Sequence, residues 1–241
     1  MVNLMEERFS RTEMMLGKNA LDTLKNATVA VFGVGGVGGA CVEALARGGV
    51  GHLVLIDSDT VSVSNINRQI IALTSTVGMA KVEAAKKRIK DICPHTKVTT
   101  HECFFLPENA DDFDFSLFDY VVDAVDTVSA KLEIAVRASE AGVKVISAMG
   151  AGNKLDPSGF KVADVYDTKV CPLARAMRTN LKKRGVKKLK CVYSEELPFA
   201  PKHMQAKADE KPVPGSVSFV PPVMGYIMAG EVILDLTKTN R

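Results

Sequence analysis

The sequence predicts an α/β fold, a doubly wound and mostly parallel sheet with helices on both faces. Three observations predict it. Short apolar, β-branched runs alternate with helical patterns across residues 28–152. The first run breaks into a glycine cluster, "VFGVGGVGG" at 31–39, and the chain resumes with small residues suited to a closely packed helix. The second run ends on an acid, Asp57. Near-continuous apolar strands of this kind belong to sheets covered on both sides.

The elements follow in order. An N-terminal arm, "MVNLMEERFSRTEMMLG", precedes a buried strand at Thr28–Phe32. Gly33, Gly35, Gly36 and Gly38 make the turn, and a helix follows at 39–47. The next strand is His52–Ile56. Val82, Ala85, Ile89 and Ile92 recur at helical spacing with Lys86, Lys87, Arg88 and Lys90 between them, an amphipathic helix packed on a sheet. Residues 97–103, 120–126 and 143–147 read as further strands, the last two separated by a helix at 129–141. Past Gly152 the pattern changes to an added strand at 160–165, a strongly basic segment at 168–194 and a Pro-, Lys- and Glu-rich exposed loop at 195–215. "VSFVPPVMGYIMAG" at 217–230 reads as a loop entering a buried helix, with Pro221 and Pro222 near its start. The expected organisation is a core at 1–152, including the helical arm, and a C-terminal extension at 153–241 packed on the same domain. There are no internal repeats.

Composition narrows the classes. The chain has 241 residues, 46% hydrophobic and 24% charged, as in ordinary globular proteins. A net charge of +3 implies no strong overall field, so any basic surface is local. The N-terminus lacks an apolar signal core, and 217–230 is too short to span a bilayer, so a cytoplasmic protein without stable membrane insertion is expected. The five cysteines, Cys41, Cys93, Cys103, Cys171 and Cys191, form no C-x-x-C pair. That excludes a paired-cysteine zinc site and favours reduced thiols.

The glycine turn lets backbone approach a phosphate, and the helix after it points free N–H groups at the anion. Gly33, Gly35 and Gly38 satisfy G-x-G-x-x-G, and Asp57 lies about 20 residues on, where a ribose-binding carboxylate belongs. The loop alone therefore leaves a redox dinucleotide and ATP both open. "DSDTVSVSNINRQI" discriminates, because a dehydrogenase has no evident need for this polar cluster. Asn65, Arg68 and Gln69 are spaced to share one face if the segment is helical. Lys81 falls in the first turn of the next helix, against the dipole, which calls for a solvent or ligand reason. An arginine and a lysine beside the glycine loop suit a triphosphate. Asp126, at an expected strand end, is either a metal ligand or a helix N-cap. Asp123 is the weaker candidate, and Asp59 is either a supporting group or turn chemistry.

"GVGGVG", "LIDSDTVSVSNINRQ", "VGMAKVEAA" and "VVDAVDT", in that order, resemble the adenylating family that includes ubiquitin-activating enzymes and the bacterial activators of sulfur-carrier proteins (the ThiF/MoeB/HesA group). The likeness covers residues 8–150 and implies a Rossmann-like ATP-binding fold. It implies that Asp57 holds the ribose, that Asn65, Arg68 and Lys81 bind phosphates, that Gln69 belongs to the same nucleotide site, and that Asp126 holds Mg²⁺. Arg11 matches an arginine that such proteins reach across a homodimer interface. Members that activate sulfur carriers usually carry two C-x-x-C pairs; this chain has none. "KVCPLARAMRTNLKKRGVKKLKCVYSEEL" and "GSVSFVPPVMG" are instead similar to the tRNA threonylcarbamoyladenosine dehydratase family. That likeness implies a ligase-type reaction on tRNA. ATP adenylates the threonylcarbamoyl carboxylate, a nitrogen of the same group attacks, AMP leaves, and cyclic threonylcarbamoyladenosine results. It also brings in a monovalent cation and a cysteine desulfurase or sulfur-acceptor system as candidate associates. The alternative is adenylation of the C-terminus of a ubiquitin-like sulfur carrier.

Two expectations complete the reading. Cys171 and Cys191 are weighed as thioester nucleophiles against small hydrophobes, and base rates favour the latter. Residues 168–194 contain no Asp or Glu and are expected to form the tRNA surface, through Arg175, Arg178, Lys182, Lys183, Arg184, Lys187 and Lys188. Arg175, Arg178 and Lys182 would line one side of a helix whose Ala174, Met177 and Leu181 face inward.

Overall fold

The computed structural model describes residues 4–199 and 214–239. In chain order its elements are α1 (Leu4–Leu16), α2 (Lys18–Asn26), β1 (Thr28–Phe32), α3 (Gly36–Gly48), β2 (His52–Ile56), α4 (Lys81–Ile92), β3 (Lys97–His101), β4 (Tyr120–Asp123), α5 (Val128–Glu140), β5 (Lys144–Ala148), β6 (Phe160–Asp164), α6 (Pro172–Lys183), β7 (Lys190–Ser194) and α7 (Val220–Thr237). The strands form one seven-stranded sheet in the order β3-β2-β1-β4-β5-β7-β6. All neighbours are parallel except β6 on β7. β1 lies between β2 and β4, so the chain reverses its winding direction there, and the crevice of such a sheet opens at the carboxyl ends of the strands.

Several element bounds differ from the sequence reading, α3 for one beginning at Gly36 rather than 39. β4 stops at Asp123 rather than 126, and β3 at His101 rather than 103. The basic segment hides a strand: β7, "KCVYS", is buried beyond its first residue and pairs with β5. Flanking lysines mask its apolar centre in sequence. β6 and β7 thus extend the core sheet itself. Most of the expected 195–215 loop, residues 200–213, lies outside the described residues.

Two apolar layers sandwich the sheet. On one face α3 and α7 cover Val29, Val31, Leu53 and Leu55. On the other, α5 and a phenylalanine cluster cover Ala30, Phe32 and Val121, with Phe32 and Phe105 edge-to-face at 4.8 Å between centroids. α7 is long and apolar enough by composition to cross a membrane, but its Val220, Met224, Met228 and Val232 are fully buried against α3 and the sheet. The two helices approach closely because their contact residues are small. A Cβ on Gly225 would overlap the carbonyl oxygen of Val37, and one on Gly48 would sit 2.7 Å from Ile233 Cδ1. At the far end of α7, Asp235 accepts hydrogen bonds from Tyr120 Oη and Lys190 Nζ, both at 2.7 Å.

Candidate active site

A pocket of about 410 Å³ opens at the carboxyl ends of the strands, within the range of small-molecule sites. The glycine turn forms its floor. Gly33 has φ 88°, which favours glycine, and a Cβ there would meet Ala124 O at 2.7 Å. A Cβ on Gly38 would overlap Gly33 O. Gly35 is different: among the described residues its Cβ would meet only Gln69 Nε2, at 3.8 Å. Packing leaves the space above Gly35 open, as close approach of a ligand requires. The first N–H groups of α3 face this region without intrahelical partners.

Asp57 stands at the end of β2. Its Oδ2 accepts from Val34 N at 2.6 Å, and its Oδ1 from Asp59 N at 2.9 Å. These bonds tie the carboxylate to the glycine turn. Asp59 is more than turn chemistry, because its Oδ2 is 2.6 Å from Lys81 Nζ and its carbonyl accepts from Lys81 N at 2.9 Å. Lys81 is the first residue of α4 and is 6% exposed. Asp59 offsets its unfavourable place at a helix N-terminus.

Asn65, Arg68 and Gln69 converge on the same pocket, but not from an α-helix. Val63–Asn65 is a single 3₁₀ turn, held by Asn65 Oδ1, which accepts from Ser62 N at 3.0 Å. Arg68 is half-buried and donates to Ser64 O at 3.0 Å and Asn67 Oδ1 at 2.9 Å. A local side-chain cap outcompetes helix continuation here.

Asp126 is exposed on the loop three residues past β4 and lines the pocket. The N-cap of α5 is Thr127, without a side-chain cap bond, so the N-cap reading of Asp126 falls. Asp123 is buried and committed. Its Oδ1 accepts from Lys131 Nζ at 3.0 Å, and its Oδ2 from Ser147 Oγ at 2.5 Å. Lys131, with no exposed surface, also donates to Val125 O at 3.1 Å. Through the bond to Val125 O this buried pair ties down the loop that carries Asp126.

Sequence reasoning missed two walls. Cys103, Phe104 and Phe105, after β3, close one end, and Gly152 with Pro214, Gly215 and Ser216 closes the other. Cys103, Phe104, Phe105, Gly152 and Pro214 carry no motif, Gly215 and Ser216 open "GSVSFVPPVMG" without a role legible there, and the chain separation hides the contact. Among the described residues, two buried side-chain polar atoms lack a hydrogen-bond partner, Gln69 Oε1 and Ser216 Oγ, and both residues line this pocket. Buried polar groups are nearly always paired, so such atoms point to a ligand.

Arg11 is exposed on α1 and does not line the pocket of its own chain. The thiol expectations resolve toward packing. Cys171 and Cys191 are buried in one apolar cluster, and burial pushes the Cys191 thiol up to about 12. On α6, Ala174, Met177 and Leu181 are fully buried as expected. The outward row is corrected at Arg178, whose guanidinium turns inward to donate to Thr168 O at 3.0 Å and to Thr168 Oγ1. Arg184 is partly engaged, 3.2 Å from Glu133 Oε2 on α5. Arg175, Lys182, Lys183, Lys187 and Lys188 are exposed.

The ThiF family pattern matches residues 9–241. The tRNA threonylcarbamoyladenosine dehydratase of Bacillus subtilis is 44% identical over 245 residues, covering 97% of this chain and 96% of that protein. The structure of the Escherichia coli tRNA N6-threonylcarbamoyladenosine dehydratase TcdA in complex with ATP superposes with a TM-score of 0.89 at 32% identity, covering 98% of this chain and 96% of the other. The AMP complex gives 0.88 at the same identity and coverage.

Proposed function

The chain belongs to the ThiF family, and from that premise we propose that it dehydrates threonylcarbamoyladenosine in tRNA with ATP, through a carboxylate adenylate. The observation that carries the reading is one pocket that gathers the glycine turn, Asp57, Arg68, Lys81 and Asp126. The likeness to dehydratases along nearly the whole chain supports the substrate.

The residues divide the work. Asp57, already fixed by Val34 N, holds the ribose hydroxyls, and the N–H groups of the glycine turn receive phosphate. A carboxylate is a poor electrophile until its oxygen is part of a good leaving group, which adenylation provides. As pyrophosphate departs, Arg68 and Lys81 stabilise its growing charge from fixed positions. Ring closure within one group needs alignment more than a strong base.

Charge balance supports two further components. Among the described residues the pocket lining carries two cations, Arg68 and Lys81, and three carboxylates, Asp57, Asp59 and Asp126. A triphosphate gains from positive charge beyond these side chains. Mg²⁺ is commonly held by one or two carboxylates plus substrate phosphates. Asp126 would be that carboxylate, and the ion would neutralise charge at the α-phosphate and on the leaving group. Arg11 of a second copy in a homodimer supplies the other cation. The place of action is the cytoplasm.

Incubating the protein with ATP and modified tRNA, then analysing the nucleosides by mass spectrometry, tests the reading. Loss of one water from threonylcarbamoyladenosine, with AMP and pyrophosphate formed, is expected. ADP as the sole nucleotide product, or an unchanged nucleoside, would refute it.

A further inference from the structure

Beyond the nucleotide residues, we infer that Ser216 is the group that receives the carboxylate-bearing end of the acceptor. The inference rests on the proposed function above.

The sheet gives the pocket a direction. The wall residues follow strand order: Cys103 to Phe105 after β3, Asp57 after β2, the glycine turn after β1, the Ala124–Thr127 loop after β4, and Ala151 with Gly152 after β5. With ribose at Asp57 and phosphates at the glycine turn, the nucleotide fills the β3-to-β1 side. The space beyond, toward β5, is left for the group that attacks the α-phosphate. Ser216 stands there, beside Gly152 and Pro214, where a Cβ on Gly152 would lie 2.9 Å from Pro214 Cβ.

Its backbone is held from two sides. Asn67 Nδ2 donates to Ser216 O at 3.1 Å. Asn153, at φ 56° in the left-handed region that asparagine tolerates, grips the preceding residue: Gly215 N donates to its Oδ1 at 2.6 Å, and its own N donates to Gly215 O at 2.8 Å. Against this fixed backbone the hydroxyl has no hydrogen-bond partner among the described residues. The side chain has a single torsion with three staggered positions, so the hydroxyl reorients without moving the main chain. Gln69, the other residue with an unpaired atom, lies against Gly35 and so belongs to the phosphate side. A serine hydroxyl both donates and accepts. It can donate to a carboxylate oxygen while accepting from an adjacent ureido N–H, the pairing that the threonylcarbamoyl group presents.

The test is Ser216→Ala in the full chain, with three measurements. Because the hydroxyl has no partner among the described residues, the melting temperature should stay level or rise. ATP affinity by calorimetry should be unchanged. The kcat/KM for tRNA bearing threonylcarbamoyladenosine should fall about 10- to 100-fold, the range for one hydrogen bond to a charged group. Wild-type kcat/KM in the variant would overturn the assignment while leaving the proposed function standing. A loss confined to ATP affinity would also overturn it, moving Ser216 to the nucleotide. If the wild-type protein binds ATP but forms no AMP with this tRNA, the proposed function and the assignment fall together.

Discussion

Replacing Lys131 with methionine should be among the most destabilising single changes near the site. Lys131 has no exposed surface, and Asp123 is 1% exposed, with 3.0 Å between Nζ and the carboxylate. Removing the ammonium leaves a buried carboxylate with only Ser147 Oγ and, at 3.3 Å, Val125 N for compensation. Breaking a buried pair from one side typically costs about 3–5 kcal/mol. For a chain of this length, each kcal/mol moves the melting temperature by about 2–4 °C, so a drop of roughly 6–20 °C is expected. Converting the partner as well, in Lys131→Met with Asp123→Asn, removes the orphaned charge and should recover much of the loss. Urea denaturation of the wild type, the single variant and the double variant measures the effect at equilibrium. A single-variant loss below about 1 kcal/mol, or a double variant no more stable than the single, would refute the view that this ion pair holds the loop under Asp126.

Three other outcomes follow from the structure. Arg68→Ala should keep the wild-type melting temperature and lose about 10²–10³ in turnover, as for removal of one preorganised charged group, and near-normal turnover would place the phosphates elsewhere. Mixing Arg11→Ala with Lys81→Ala subunits should restore one working site per heterodimer, and no recovery would show that Arg11 does not act across an interface. Replacing Lys182, Lys183, Lys187 and Lys188 with alanine should flatten the salt dependence of tRNA binding, which changes by about 0.7–0.9 in log–log slope per phosphate contacted; an unchanged slope would move the docking surface away from α6.

A pH dependence is also expected at the end of α7. Burial pushes the Asp235 carboxyl up, but the hydrogen bonds from Lys190 and Tyr120 outweigh it and hold the group below its ordinary value. A depressed carboxyl stabilises the fold above the unfolded value of about 4, and the contribution is lost as pH falls through the lower folded value. Asp235→Asn should therefore lower stability at pH 7 and lose its difference from wild type in acid. An equal difference at both pH values, in thermal melts, would contradict this.

The sequence by itself determined the layers. Apolar β-branched runs, the glycine turn and helical periodicity depend on neighbours a few residues apart, so β1, α3, β2 and α4 are legible locally. Gly33 and Gly38 announce themselves because no other residue fits so close a turn. The inward face of α6 is legible for the same reason: Ala174, Met177 and Leu181 share one side at helical spacing. Tertiary structure decided the rest. β7 is a strand because β5 offers it a buried edge, although its flanking lysines read as surface. Arg178 turns inward because the folded chain brings Thr168 within reach of its guanidinium, a contact that charge patterning cannot show. Asp123 and Asp126 look alike in "VVDAVD", but Lys131 and Ser147 capture the first and leave the second exposed. Ser216 lines the site because Asn67 and Asn153, far apart in the chain, hold the backbone of residues 215 and 216 beside it.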